Sequence, residues 1–399
     1  MNSKALLLLS CLFWHHDSIP KALFQNAVVG AQDYEVLPLG WDEAVKVVNM
    51  FCDADGSWND FKFQDAINKL NSFSLITSYF KDHFSLHPLV QSWAQYDCLQ
   101  RNLKMNNLSG YLLGLAARDR RESNEYLMRI ASAPHIKAWL GHQSNIDILN
   151  FDLGIKLSKV YKERGWWRDE ENLELKVLEQ TKQTFGDDHP HTLTALYNLG
   201  CTYKNQGRWL EAEQLQLQVV ERRKTALGED HSDTLHAMND LALTYQTQGR
   251  WPEAEQLHLQ VMEKRKIILG EDHPDTLDSM NDVALTYQNQ GWWTEAEQLH
   301  LQELEKCKAV LGEDHPEILI SMHNLASTYQ NQSRWSEAKQ LQLQVMEKRK
   351  AVLGEDHPET LSSMNNLAST YQHQGCWSEA EQLQLQVIEK FWERITLIL

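Results

Sequence analysis

A chain of 399 residues that is 42% hydrophobic and 23% charged has the composition of an ordinary globular protein, with apolar material for a sizeable core and a length that fits two or three domains. Its 38 basic against 55 acidic residues leave a net charge of -17, which argues against nucleic acid and against an anionic membrane surface, since both want a basic face. Six cysteines (Cys11, Cys52, Cys98, Cys201, Cys307, Cys376) form no CxxC pair and read as reduced, buried thiols of a cytoplasmic protein.

In chain order, the first stretch, MNSKALLLLSCLFW, sets Lys4 ahead of ten largely apolar residues. It resembles the charged start and apolar centre of a signal peptide. It is too short to span a bilayer and no A-x-A-like cleavage site follows, so a buried helix is expected. A break near Asp17 and a second helix from around Pro20 come next. DADGSWND, Asp53 to Asp60, glances at a calcium loop. With Gly56 in the glycine place, the first ligand would be Phe51 and the twelfth Lys62, which excludes it. FKFQDAINKLNSFSLITSYFKDHFSLHPLVQSWAQY reads as a helix to Leu70, two short strands around Leu75 and Phe84, and a helix from Pro88. Helices, a small hairpin and another helix predict a winged-helix-like α+β domain over residues 1–95, with connecting helices over 96–147.

From about residue 148 the chain repeats itself. Tryptophan recurs at Trp167, Trp209, Trp251, Trp293, Trp335 and Trp377, with tyrosine six residues before each, so the period is 42 residues and there are six units. In HSDTLHAMNDLALTYQTQG, residues Leu235, Met238, Leu241, Ala242 and Tyr245 fall three and four apart, one apolar face of a helix that Gly249 ends. In WPEAEQLHLQVMEKRKIILG, residues Trp251, Ala254, Leu257, Val261 and Ile268 are expected near one face, Pro252 suits the first turn and Gly270 stops the helix. Lys264, Arg265 and Lys266 lie in its second half, where cations suit the dipole. Short side chains mark the crossing: Gly200, Ala242, Ala284, Ala326 and Ala368 in the first helix, Ala212, Ala254, Ala296, Ala338 and Ala380 in the second.

Near copies of LGEDHPDTL separate the units, with His189, His231, His273, His315 and His357 in register. Histidine beside aspartate is the vocabulary of metal sites. Each histidine has one aspartate neighbour, however, and nothing else in the loop completes a metal shell. The stretch reads as a hinge: proline or serine begins the next helix, Glu271 and Asp272 put negative charge at its N-terminus, and His273 packs or bonds locally. Three departures stand out. The first unit has Glu170 in place of alanine, as a capping repeat does. Glu303 replaces the valine of Val219, Val261, Val345 and Val387, which predicts a local defect or a partly exposed row. The last helix carries Phe391 and Trp392, then ITLIL, an apolar end that fits a truncated array or gene, or a surface for self-association.

The pattern L-A/G-x-x-Y-x-x-x-G-x-W-x-E-A resembles the tetratricopeptide repeat family, and the 42-residue period with its GEDHPDTL linker is similar to the kinesin-light-chain type. The resemblance covers about residues 148–399. It implies an all-α fold, a right-handed superhelix of stacked antiparallel helix pairs whose concave face is lined by the first helix of each unit. Three polar rows of that helix are then the candidate peptide groove: Asn198, Asp240, Asp282, Asn324, Asn366; Tyr197, Asn239, Asn281, His323, Asn365; and Lys204, Gln246, Gln288, Gln330, Gln372. Amides donate and accept, so a ladder of them can pair with the backbone of an extended peptide whatever its sequence. In the family, asparagines at this place grip ligand backbones. Asp240 and Asp282 favour a donor or cation near the middle. The alternative is that some of these side chains only satisfy neighbouring helix ends.

The words SIPKALF, LNSFSLI and FSLHPLVQSWA look like the winged-helix segment that ends the nucleotide-binding module of fungal STAND (NLR-like) NTPases, where a tetratricopeptide array commonly follows. Leu86-His87-Pro88 stands where that family has Met-His-Asp or Met-His-Pro, and the resemblance implies that His87 is a relic of nucleotide sensing. No G-x-x-x-x-G-K-[ST] occurs in this sequence, so His87 is read here as a helix-start residue. H-E-x-x-H, G-x-S-x-G and G-x-G-x-x-G are also missing, and Asp230-His231-Ser232 spells triad letters without the geometry a triad needs. The expectation is a scaffold without enzymatic activity, metal or cofactor, binding a peptide or partner protein as the sensor part of a STAND-type receptor. The alternatives are the C-terminal fragment of a nucleotide-switched NTPase, and a cargo adaptor like kinesin light chain, for which no heptads precede the array.

Overall fold

The computed structural model describes residues 11, 14–34, 41–80, 82–100, 105–117, 123–141, 149–312 and 315–398. Most of the apolar opening stretch, residues 1–10 and 12–13, lies outside the described residues. The chain divides into two compact units, Met1–Leu215 and Gln216–Leu399.

In the first unit, β1 (Ile19–Pro20) leads into α1 (Lys21–Gln32), followed by α2 (Asp42–Asn49), α3 (Asp60–Ser72), the hairpin β2 (Ile76–Phe80) and β3 (His83–Leu86), and α4 (Pro88–Gln100). The hairpin and the helix from Pro88 stand where the sequence puts them. β1 is the addition: Ile19 pairs with Phe84, so the sheet order is β1-β3-β2, antiparallel throughout. Two residues are too few to show an alternation. Phe24, Phe51, Phe63 and Phe84 are at most 1% exposed, and neighbouring rings lie 5.4–6.4 Å apart, an aromatic core at ordinary ring-packing distance. Lys21 ties the layers together through Asp60 at 3.0 Å and Asp82 at 2.8 Å. α5 (Met105–Ala116) then meets α6 (Ser123–Leu140) at Gly110, where a Cβ would stand 2.3 Å from the buried ring of Trp139. Only a residue without a side chain allows that approach.

The helix pairs follow: α7 (Phe151–Arg164) with α8 (Trp167–Phe185), then α9 (Pro190–Asn205) and α10 (Trp209–Leu227), the last of which contains the boundary between the units. The second unit continues with α11 (Ser232–Thr247), α12 (Trp251–Leu269), α13 (Pro274–Gln290), α14 (Trp293–Leu311), α15 (Pro316–Asn331), α16 (Trp335–Leu353), α17 (Pro358–His373) and α18 (Trp377–Ile398). The first-helix face is as expected, with Leu235, Met238, Leu241 and Ala242 at most 3% exposed. The small residues at the crossings are buried throughout, Ala254, Ala284, Ala296, Ala326, Ala338 and Ala368 completely.

The second helices depart from the expectation. Along α12 the buried residues are Ala254, His258, Val261 and Arg265, whereas Ile268 is 47% exposed and Trp251 and Leu257 are only half-buried. The inward strip therefore runs at spacings of four, three and four through two polar residues, because the neighbouring first helices offer them an amide, a hydroxyl and a backbone carbonyl. Lys264, Arg265 and Lys266 accordingly do three different things. Arg265 is in the core, Lys264 pairs with Asp230 at 2.5 Å, and Lys266 pairs with Glu271 at 2.7 Å.

The GEDH linkers are resolved into caps and clamps. Each linker histidine is the N-cap of the following helix, its Nδ1 accepting the amide two residues on at 3.1–3.3 Å. Capping satisfies an amide that the helix leaves unpaired. Glu271 and Asp272, which directly precede the N-terminus of α13, also reach Lys306 of α14 at 3.1 and 3.0 Å. Of the cysteines, Cys11, Cys52 and Cys307 are buried, while Cys201 and Cys376 are half-buried rather than buried. The side chain of Cys98 lies outside the described residues.

Candidate functional site

The candidate groove residues lie on the first helices. Tyr197, Asn198 and Lys204 are on α9 of the first unit; the other twelve are on α11, α13, α15 and α17 of the second. All are half-buried except Asn365, which is exposed. Within the second unit the amides are wired from one repeat to the next. Asn239 Nδ2 donates to Asp282 Oδ2 at 2.8 Å, and Asn324 Nδ2 donates to Asn281 Oδ1 at 2.8 Å. Gln246 donates to Thr286 at 2.6 Å, Gln288 to Ser327 at 3.0 Å and Gln330 to Thr370 at 2.7 Å. One such bond uses one hydrogen of a group with two donors and two acceptor positions, so each amide retains capacity for a ligand.

The middle of this face is acidic. Burial pushes the Asp282 carboxyl up to about 6, with Asp278 and Asp240 adding to the rise and the bond from Asn239 opposing it. Asp278 is raised too, by burial and then by Glu317 and Asp275. His323 is pushed down by burial and by Arg349. A recess of about 710 Å³ lies in the first unit at the α7–α8 turn, lined by Lys137, Trp166, Trp167 and Gln206 among others. It is open to solvent. His87 stands between β3 and α4, its Nδ1 accepting the Leu89 amide at 3.2 Å in the same manner as the linker histidines.

Two inward rows on the second helices are absent from the sequence reading. The first is Glu174 in the first unit and Gln216, His258, His300 and Gln342 in the second, all at most 4% exposed. Threonines of the following first helix bond to it: Thr202 to Glu174 at 2.6 Å, Thr244 to Gln216 at 2.7 Å and Thr370 to Gln342 at 2.5 Å. His258 Nδ1 meets Asn239 at 2.9 Å, which links this row to the candidate face. Its Nε2 and both nitrogens of His300 are buried without a partner, and burial pushes both imidazoles down to about 4. The signal that finds this row is the column itself, a polar residue four places after each small crossing residue.

The second row is Arg223, Arg265, Cys307 and Arg349. Arg265 donates to Ser279 at 2.8 Å and Arg349 to Ser363 at 2.8 Å. Where cysteine interrupts the row, Glu303 takes over, accepting from Ser321 at 2.5 Å and Cys307 at 3.1 Å. Glu303 is 5% exposed, so the row is not exposed there; one carboxylate oxygen takes the bonds from Ser321 and Cys307, and the other is buried without a partner, a local defect. Among the described residues no group of three or more histidine, cysteine, aspartate or glutamate side chains is placed to hold a metal. No described helix is long and apolar enough to cross a membrane.

Comparison with known proteins agrees with this geometry. Tetratricopeptide repeat profiles match residues 192–233, 234–275, 275–351 and 321–391, together half of the chain. Among solved structures, the Podosopora anserina putative kinesin light chain with nearly identical TPR-like repeats is 33% identical, covering 52% of this chain and 98% of that one, with a TM-score of 0.45. Aspartyl phosphate phosphatase F from Bacillus subtilis is 8% identical over 98% of this chain and 94% of its own, with a TM-score of 0.51, a likeness of fold. A Pyrococcus horikoshii STAND protein with a tetratricopeptide repeat sensor is 11% identical over 100% of this chain and 64% of its own, with a TM-score of 0.46. No curated protein matches. The 42-residue signature, the stacked helix pairs with small residues at their crossings, and the profile matches lead to one conclusion: this chain belongs to the tetratricopeptide repeat family.

Proposed function

We propose that the repeat array is a protein-interaction scaffold whose first-helix face takes an extended peptide. The observation that carries this is the ladder of half-buried amides on α11, α13 and α15, bonded from one repeat to the next and with donor and acceptor capacity left over. The bonds between repeats fix the rotamers, so a ligand meets groups that are already oriented, which lowers the ordering cost of binding. The acidic centre at Asp240, Asp278 and Asp282 favours a peptide with a lysine or arginine there. Panning a peptide library against the full chain tests the reading. Peptides retained by the wild type should bind at least tenfold more weakly, about 1.4 kcal/mol, to the Asn324→Ala, Asn366→Ala double variant. Equal binding by both would remove the groove from consideration.

A second reading concerns the first unit. The words SIPKALF, LNSFSLI and FSLHPLVQSWA, with His87 at the junction of hairpin and helix, favour the sensor part of a STAND-type receptor, with residues 1–95 a winged-helix remnant, 96–147 connecting helices and 148–399 the array. An in-frame phosphate-binding loop in the genomic sequence upstream of Met1 would make the chain part of a nucleotide-switched NTPase. A cargo adaptor would instead bind a motor heavy chain, which affinity capture resolves. In either case the chain would act in the cytoplasm, and self-association would be sought at the apolar C-terminal end, where Trp392 is more than half exposed and the side chains of residues 391 and 393–399 lie outside the described ones.

A further inference from the structure

The first helix pair buries two acids. Glu170 and Glu174 lie one turn apart on α8 and are 2% and 4% exposed. Glu174 is built into the packing: Ser158 of α7 donates to its Oε1 at 2.8 Å and Thr202 of α9 to its Oε2 at 2.6 Å. Glu170 occupies the column in which the later repeats carry Ala212, Ala254, Ala296, Ala338 and Ala380, and its Oε2 is buried without a partner. The charged groups near the pair do not neutralise it. From α7 comes Lys162, a solvent-exposed side chain; from α8 itself comes Glu171, which is engaged by Arg208 at 2.7 Å; α9 presents only the hydroxyl of Thr202.

Two ionised carboxylates held a turn apart in a dry site repel each other and lose their hydration. The arrangement is sustainable when one of them carries a proton, and the two then titrate as a pair. Burial and then the neighbouring Glu174 push Glu170 up to about 7, and burial raises Glu174 as well. We propose that Glu170 holds a proton in the folded chain beside Glu174, and that this proton is a latch whose loss loosens α8 from α7 and α9. The inference is independent of what the first-helix face binds. Both acids have folded-state values above the ordinary glutamate range. The stability they contribute is therefore full below about pH 4.5 and is lost as pH rises toward about 7, by up to tenfold per pH unit for one proton. The first pair would then be the part of the array that yields near neutral pH.

Amide hydrogen exchange of the full chain, corrected for intrinsic rates between about pH 5 and pH 8, reads the latch directly. Protection of α8 and α9 in the wild type should fall by up to tenfold per pH unit to about pH 7 and then level. Glu170→Ala, which restores the residue of the other repeats, should reduce that slope to what Glu174 alone contributes and leave protection higher at about pH 8. Glu170→Gln should reduce it too. A flat wild-type profile, or an unchanged slope in both variants, would overturn the proposal. So would recovery of protection at about pH 8 on adding magnesium or calcium, since a cation would then do what is assigned to the proton. If neither Glu170 variant folds, the wild-type profile with Glu174→Gln still decides, since loss of one acid of the pair should shift the slope.

Discussion

Two joints in the second unit hold successive repeats together with opposite charges. Between α12 and α13, Arg265 donates to the Ser279 hydroxyl and to the Asp275 carbonyl at 3.0 Å. Between α14 and α15, the same column holds Cys307, and Glu303, one turn earlier, accepts from Ser321 instead. The serine is the fixed point. A hydroxyl can accept from a guanidinium or donate to a carboxyl, so its partner can change sign without moving the helices. The difference teaches that the repeat conserves a bond at this joint rather than a charge. The two joints are not equal in strength, because the guanidinium makes two charge-assisted bonds while one oxygen of Glu303 is buried without any.

The largest effect should therefore come from the arginine joint. Arg265→Ala removes both charge-assisted bonds and opens a cavity, and should lower stability in denaturant titration by about 3 kcal/mol. Cys307→Ala should cost less than about 1 kcal/mol. Equal losses would show that the joints are held by packing alone.

Acid should act next, on the histidines that flank both joints. His258 and His300 are pushed down to about 4 by burial, so their neutral forms are favoured by folding. The stability they contribute is full above about pH 6.5 and is lost as pH falls toward about 4. His300→Gln copies the residue at Gln216 and Gln342, and should retain about 2 kcal/mol more than the wild type at about pH 4.5. If the variant and the wild type melt together across that range, His300 does not titrate with folding.

Glu303 should respond in the opposite direction. Burial raises its folded-state value, and the bonds from Ser321 and Cys307 oppose the rise. Stability linked to it is present below about pH 4.5 and lost as pH rises. Glu303→Val, the residue of the sibling columns, should gain on the order of 1 kcal/mol at about pH 8 and little at about pH 5. A loss at both would mean that the Ser321 bond outweighs the buried charge.

These side chains also mark the limit of what the sequence reveals. The period, the two helices per repeat, the crossings at Ala242 and Ala254, and the hairpin before Pro88 are all written in residue type and spacing. The inward strip of the second helix is not. His258 and Arg265 are polar residues that face inward because Asn239, Ser279 and a backbone carbonyl meet them there, and those partners lie 10–19 residues away. A hydrophobic pattern cannot register a polar residue satisfied by a neighbouring helix. Glu303 therefore looks like an intruder in a valine row, when the relevant column is that of Arg265. The candidate groove was legible as a polar surface, but the bonds between its rows depend on how the repeats stack.

The smallest effect separates α15, the helix docked by Glu303, from its siblings at its other end. α11 and α13 finish at Gly249 and Gly291 with φ of +74° and +84°, while α15 finishes at Ser333 with φ of +60°. A Cβ added at Gly249 or Gly291 would meet nothing within 4 Å, so what Ser333 strains is its own backbone rather than its surroundings. A left-handed conformation costs a residue with a side chain roughly 1–2 kcal/mol, and glycine avoids this while giving the unfolded chain more freedom, which takes back about 0.4–1 kcal/mol. Ser333→Gly should therefore raise stability by about 0.5–1 kcal/mol, and Gly249→Ser should lower it by a similar amount. Paired denaturant titrations of the two variants check both signs at once. If Ser333→Gly is neutral while Gly249→Ser destabilises, the serine hydroxyl is compensating for the strain, and the end of α15, like its docked face, substitutes a polar contact for the residue its siblings use.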